Sequence, residues 1–327
     1  LLGRLESLIA SGLHIGYIER RSGISEGMLN ALLDEKKRTS LGMIDVPNAH
    51  LSAFNGGRDP FGERKVLFQL NAWLNAHDEE RRQMAREYTE IDTGLYMTGI
   101  ALEALEKKRL FHLIGGYGIS KTKTMERFAA NHPMTHEAPG AVYLSLTAED
   151  RTTAQVYQRL NDALRIGEKF KTSGRSIGQR VRNAFRPGDL VIVDEANYAF
   201  TYGTWPTFRD IYDVSPVSLL MVSNITSNGF VKAHQEELGA FLSRARTRTI
   251  EGNVKADGEK YATALGFSCP RLIQEAGRIV TSKGQAGGMR FLSKAFEDAE
   301  QMAAKRGSAV NVAILREAAK INSVFFK

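Results

Sequence analysis

The stretch LFHLIGGYGISKTKTMERFA, Leu110 to Ala129, sets Gly115, Gly116 and Gly118 shortly ahead of an adjacent lysine and threonine, Lys121 and Thr122. Glycines let a backbone turn its N–H groups toward one concavity, and a helix N-terminus directly after such a turn favours an anion. The spacing is that of a phosphate-binding loop, G-x-x-x-x-G-K-[ST], in which the lysine reaches the outer phosphates and the hydroxyl ligates Mg²⁺. One position departs from it, because the second fixed glycine is replaced by Ser120. A side chain there crowds the phosphates if the backbone angle is one open mainly to glycine, whereas a small hydroxyl can also hydrogen-bond an oxygen. Taken alone, the loop also reads as a glycine-rich turn joining strand to helix.

A second stretch, DLVIVDEAN (Asp189 to Asn197), is an apolar strand tipped by two carboxylates, the form of a Walker B motif. Asp194 would hold Mg²⁺ through water and Glu195 would polarise an attacking water. A third apolar strand, SLLMVSNIT (Ser218 to Thr226), ends at Asn224, placed to orient that water; strand-end asparagine is also a common turn former. Arginines complete the set: Arg244, Arg246 and Arg248 in FLSRARTRTI, and Arg290 in GGMRFLSKAF. On a lid helix and a subunit edge they would clamp a γ-phosphate. Their alternative is a solvated or DNA-facing basic patch.

These residues need a scaffold, and the chain supplies an alternation. The pattern gives a helix from about Leu95 to Lys107, strand Leu110 to Ile114, helix Lys121 to Ala130, strand Ala141 to Leu146 and helix Ala154 to Leu164. A basic loop and helix from Lys169 to Phe185, strand Leu190 to Asp194, helix or loop through Arg209, strand Ser218 to Ser223 and a helical remainder follow. Strands alternating with helices imply a doubly wound α/β fold with a mostly parallel sheet, whose ligand sits beyond the strands' C-terminal ends.

Ahead of it, HIGYIERRSGISEGMLNALLDEKK (His14 to Lys37) reads as helix, turn, helix: Ile15 and Ile18 share a face, Gly23 supplies the turn, and Ser25 caps a second helix carrying Met28, Leu29, Leu32 and Leu33. Helix-turn-helix units bind DNA through the second helix, yet its groove-facing positions would be Glu26, Gly27 and Asn30. A packing or interaction domain is the other reading. Residues 39 to 60 are rich in turn formers, a helix spans Arg64 to His77, and the charged run Asp78 to Asp92 is a solvated helix or linker. The expected organisation is a helix-turn-helix domain with linker over 1–80, a nucleotide-binding α/β domain over 81–250 and a helical lid over 251–327.

The composition fits a polyanion partner. In 327 residues the chain carries a net charge of +7 and a pI near 9.4, with 43% hydrophobic residues to build cores. No apolar run reaches membrane-spanning length and no basic amphipathic anchor stands out, which puts nucleic acid ahead of a membrane. A single cysteine, Cys269, excludes an internal disulfide and a cysteine-based zinc cluster. The start, Leu1-Leu2-Gly3 with Arg4 and Glu6 behind, is no signal peptide and reads as trimmed; a cytoplasmic protein is expected.

With these residues in order, the chain resembles an AAA+ ATPase, and more narrowly the phage Mu transposition protein B family of target-DNA-binding ATPases. The resemblance runs through IERRSGISEGMLNALLDEK, AWLNAH, GGYGISKTKT, AVYLSLT, LVIVDEAN, LLMVSN, FLSRARTR and GGMRFLSKAF, with extra residues between about Thr39 and Gly62. It implies a P-loop domain with a helical lid behind a small all-α domain, acting in the bacterial host cytoplasm. It also implies an Mg²⁺-dependent ATPase that forms helical filaments on duplex DNA of any sequence, delivers that DNA to a transposase and stimulates strand transfer. By position, Gly115, Gly116, Gly118, Ser120, Lys121 and Thr122 would hold the phosphates of ATP, with Thr122 and Asp194 on Mg²⁺ and Glu195 beside them. Asn224 would be the first sensor, Arg290 the second and Arg244 the trans-acting finger. DNA contacts would come from Lys169, Lys171, Arg175 and Arg180, with Arg151 and Thr152 as further pore candidates. Because Ser120 departs from the pattern while Lys121, Thr122, Asp194 and Glu195 are present, ATP binding with slow hydrolysis is expected. Two alternatives stay open: an AAA+ loader or initiator of a replication complex, and a helix-turn-helix regulator with a degenerate ATPase fold.

Overall fold

The computed structural model describes residues 1–34, 63–135, 137–165, 174–225, 229, 231, 233–250, 254–282 and 288–324. The chain divides into two compact units, Leu1–Glu87 and Tyr88–Lys327.

The first unit is helical among its described residues: α1 (Leu2–Ala10), α2 (Ile15–Ser22), α3 (Glu26–Leu33) and α4 (Glu63–Glu87). The ring of His14 accepts from the Gly16 N–H at the start of α2, Gly23 closes that helix in the left-handed region, and the Ser25 hydroxyl accepts from the Met28 N–H to open α3. Leu5, Ile18, Ile24, Leu29, Leu32, Leu70 and Leu74 are buried together, each removing about 1.5–3 kcal/mol of apolar exposure. The charged run from Asp78 is no separate linker. It extends α4 to Glu87, with Arg82 and Arg86 both paired to Glu79 along the exposed face.

The second unit is built on five parallel strands: β1 (Leu110–Gly115), β2 (Ala141–Ser145), β3 (Leu190–Asp194), β4 (Ser218–Asn224) and β5 (Ala245–Ile250), in the order β2-β3-β4-β1-β5. Helices α5 (Asp92–Glu106), α6 (Lys121–Asn131), α7 (Thr153–Ala163), α8 (Gly174–Ala184), α9 (Asn197–Thr201), α10 (Trp205–Val214) and α11 (Gln235–Leu242) accompany the strands. Alternate strand residues feed two cores. Phe111, Leu113, Ile192, Leu220 and Val222 pack on α5 and α6, whereas Val191, Val193, Leu219 and Met221 pack on α7, α8, α10 and α11. A strand buried on both faces must read as a near-continuous apolar run, which is why β1, β3 and β4 stand out in the sequence.

β5 corrects the expected helical remainder after the fourth strand. ARTRTI is an edge strand, exposed over most of its length, with Arg246 and Arg248 on it rather than on a lid helix. With little of it buried, it lacks the apolar signal that marks a strand, and only Thr247 and Thr249 hint at β structure. Among the described residues four further helices follow: α12 (Lys255–Ala264), α13 (Pro270–Val280), α14 (Met289–Lys305) and α15 (Val312–Val324). α12 is tied to α5 by the buried Asp257 carboxylate, which accepts from the Thr93 N–H at 3.2 Å and from the Thr93 hydroxyl.

Candidate nucleotide site

β1 ends at Gly115 and α6 begins at Lys121, so the glycine loop joins a fully buried strand to a helix N-terminus. A Cβ on Gly115 would meet Ile119 Cδ1 at 2.5 Å and Lys121 Cδ at 3.3 Å, so a side chain there would have to displace the ends of these two side chains. Ser120 sits at φ 64° and ψ 22°, in the left-handed region, beside Gly118 at φ 74°. The angle at Ser120 is therefore one that favours glycine, and the chain adopts it with a serine. The Thr124 N–H donates to the Ser120 carbonyl at 3.0 Å and holds it there.

The Lys121 ammonium donates to the carbonyls of Gly115 at 3.0 Å and Gly116 at 2.6 Å. It thus rests on neutral acceptors of its own loop. Burial holds it below the usual lysine range, Asp194 and Glu195 pull it back up, and Arg290 adds to the lowering.

Facing the loop, β3 brings Asp194 to the rim, buried. Thr122 Oγ1 donates to Asp194 Oδ2 at 2.7 Å, the Tyr143 hydroxyl donates to the same oxygen at 2.9 Å, and the Glu195 N–H donates to Oδ1 at 2.9 Å. Burial first, then the Asp194 charge, pushes the Tyr143 phenol above the usual tyrosine range, so it stays a donor. Glu195 lies at φ 51°, like Ser120 a non-glycine residue in the left-handed region. The next residue anchors it, since the Ala196 N–H donates to the Val222 carbonyl at 2.8 Å.

The strand order places Asn224. β4 lies between β1 and β3, and its last residue pairs with Gly115, so Asn224 stands on the rim between the loop strand and the Asp194 strand. From the other side, the N-terminus of α14 reaches the loop: the Met289 N–H donates to the Gly118 carbonyl at 2.8 Å, and the exposed Arg290 is close enough for Lys121 to feel its charge. Lys121, Thr122, Asp194, Glu195, Asn224 and Arg290 therefore meet at one end of the sheet, although 169 positions separate the first from the last (290 − 121).

Arg244 does not join them. It precedes β5, whose first residue pairs with Leu110 at the opposite end of the sheet from Gly115, and it bonds to Asp213 at 2.7 Å. Arg246 lies 3.7 Å from Glu103. Arg151 and Thr152 stand at the start of α7, where Thr152 forms a capping box with Gln155 and the Arg151 guanidinium lies 5.2 Å from the centre of the Tyr202 ring. Arg175 and Arg180 lie on α8. Lys169, Lys171 and the loop from Thr39 to Gly62 fall outside the described residues.

The sequence reading missed Tyr143. Its signal was one polar-tipped residue inside the apolar strand AVYLS, and only the pairing of β2 with β3, Ser145 opposite Asp194, aims that tip at the carboxylate. It also missed His112, buried in β1, whose Nε2 lies 2.7 Å from Ser223 Oγ and whose ring centre lies 5.0 Å from that of Phe200, tilted against it.

The donor set fits a nucleotide with Mg²⁺. Among the described residues no group of three or more His, Cys, Asp or Glu could hold a metal. One hydroxyl and one carboxylate suit Mg²⁺, which takes its remaining ligands from water and phosphate. A glycine loop running into a helix N-terminus and an ammonium resting on loop carbonyls suit phosphate oxygens.

The architecture is similar to that of the ORC2 protein of Aeropyrum pernix (ADPNP–ADP complexes), with a TM-score of 0.55 at 15% identity over 70% of this chain and 66% of that one. It is likewise similar to the Aeropyrum pernix ORC1 protein in complex with DNA (0.51, 16%, 71% and 66%) and to Cdc6p from Pyrobaculum aerophilum (0.50, 12%, 84% and 71%). The chain thus spans just under two thirds of the two ORC proteins. No family model matches it, and no curated protein matches its sequence. At these identities the likeness is one of fold: a five-stranded parallel sheet with flanking helices, the α/β arrangement expected from the alternation of strands and helices.

Proposed function

We propose that the chain is an ATP-dependent, sequence-indifferent DNA-binding ATPase of the phage Mu transposition protein B kind, which coats duplex target DNA as a helical filament and delivers it to a transposase. The observation that carries the ATPase part is the 2.7 Å bond from Thr122 to Asp194, which joins the phosphate loop to the acidic strand, with Lys121 and Arg290 beside it. When bound, ATP with Mg²⁺ supplies a γ-phosphoryl group and a cation that spreads its charge. Lys121 and Arg290 would hold phosphate oxygens, Thr122 and Asp194 the cation. Glu195 would take the proton of the attacking water on its carboxylate, and Asn224 would orient that water. Arg244, at the far end of its own sheet, can serve a phosphate only in a neighbouring copy, which makes nucleotide binding and assembly one equilibrium.

The DNA part rests on the net charge of +7 and on Arg151, Thr152, Lys169, Lys171, Arg175 and Arg180. Contacts to phosphates give affinity that falls steeply with salt and carry little sequence preference. A second reading, a loader or initiator of a replication complex, is favoured by the likeness to ORC1, ORC2 and Cdc6p. It requires closed rings and a preferred partner or DNA structure.

The test is anisotropy on a random-sequence duplex with ATP, ADP or no nucleotide, with negative-stain imaging of the same samples. ATP-dependent binding with filaments is expected, lost in Lys121→Ala and long-lived in Glu195→Gln. ATP-independent binding by Lys121→Ala breaks the coupling, and rings on a defined structure favour the loader.

A further inference from the structure

We propose that Tyr143 is a positioning residue for the magnesium site, holding the Asp194 carboxylate in its metal-binding orientation when Thr122 lets go of it. This rests on the nucleotide reading above.

A carboxylate oxygen has two in-plane lone-pair sites. Asp194 Oδ2 fills both, one with Thr122 Oγ1 and one with the Tyr143 hydroxyl, while Oδ1 takes the Glu195 N–H. The two Oδ2 donors differ in what they can do next. Thr122 lies in the first turn of α6 and is the hydroxyl that a cation would draw away, and its departure would free one Oδ2 site. Tyr143 stays. Its position is fixed by the β2–β3 ladder, in which Tyr143 lies opposite Ile192 and Ser145 opposite Asp194, and by the packing of its neighbours Val142 and Leu144 into the core on the other face.

The terminal torsion of aspartate is soft, so a carboxylate held only by one backbone N–H can swing out of plane. A phenol on the second oxygen removes that freedom. Groups of this kind, one bond behind the metal, typically change metal affinity about 10- to 100-fold when removed.

Tyr143→Phe keeps the ring and removes only the donor, and Thr122 still satisfies Oδ2 in the resting protein. The experiment measures Mn²⁺, standing in for Mg²⁺, bound by the full-length protein with ADP present, using electron paramagnetic resonance. Nucleotide affinity in EDTA and the melting temperature are measured alongside. We expect the Mn²⁺ midpoint of Tyr143→Phe to rise about tenfold, with metal-free nucleotide affinity and melting temperature close to wild type. An unchanged midpoint overturns the proposal, as does a matched loss of metal-free affinity and melting temperature, which would make Tyr143 a fold residue. If wild-type protein binds no Mn²⁺ with ADP, the nucleotide reading itself fails, and the two failures are thereby distinguished.

Discussion

Ser120 shows how one residue can depart from a motif and leave its backbone intact. A left-handed angle costs an L-residue roughly 1–2 kcal/mol, and here the surrounding loop imposes that angle through the Thr124 N–H and the seating of Gly118 under α14. Ser120→Gly should relieve it, less the larger unfolded-state freedom of glycine, for a net gain of about 0.5–1 kcal/mol. Urea unfolding of the two proteins measures this, and a loss of stability would show that the serine hydroxyl contributes more than its Cβ costs. Arg165 and Glu195 also lie in the left-handed region, and at Glu195, directly after the Asp194 strand, strain of this kind is a reason to read the residue as functional.

At the scale of elements, the rim that gathers Lys121, Asp194 and Arg290 depends on helices that arrive late in the chain. α12 is fastened to α5 by the buried Asp257 carboxylate on Thr93, while the exposed Lys260–Asp92 pair adds little. Removing Asp257 leaves a buried Thr93 N–H and hydroxyl without their acceptor, at a cost of about 3 kcal/mol. Asp257→Ala should therefore speed hydrogen exchange in α12 and α13 while protection in β1 and β3 persists. Uniform loss of protection would instead mean that these helices and the sheet unfold as one.

Across the whole molecule, the pH dependence of stability should carry the mark of His112. Buried between Phe200 and Phe241, its pKa is pushed down to about 4 by loss of solvent. Between that value and about 6.5 the unfolded chain binds the extra proton, so stability is fully present above about pH 6.5 and falls by about 3 kcal/mol as pH drops to about 4. His112→Gln, which can keep a bond to Ser223, should flatten that window in urea titrations taken between pH 4 and 7. An unchanged slope would mean that His112 does not carry the loss of stability in this window.

The sequence by itself located the glycine loop, the two carboxylates and the strands that carry them, because buried parallel strands must be apolar throughout and their polar tips then stand out. The helices α2 and α3 and the turn between them were legible for a similar reason, since Gly23 and Ser25 are local signals. What lay beyond reach was whatever depends on neighbours in space. β5 exposes most of its side chains and so carries no apolar pattern. Tyr143 serves Asp194 only through the register of β2 on β3. Arg290 reaches the loop only because α14 packs against Gly118, and Arg244 is turned away only because its strand enters the sheet from the other end. Local composition dictates strands and caps; tertiary pairing alone decided which polar tips share a rim.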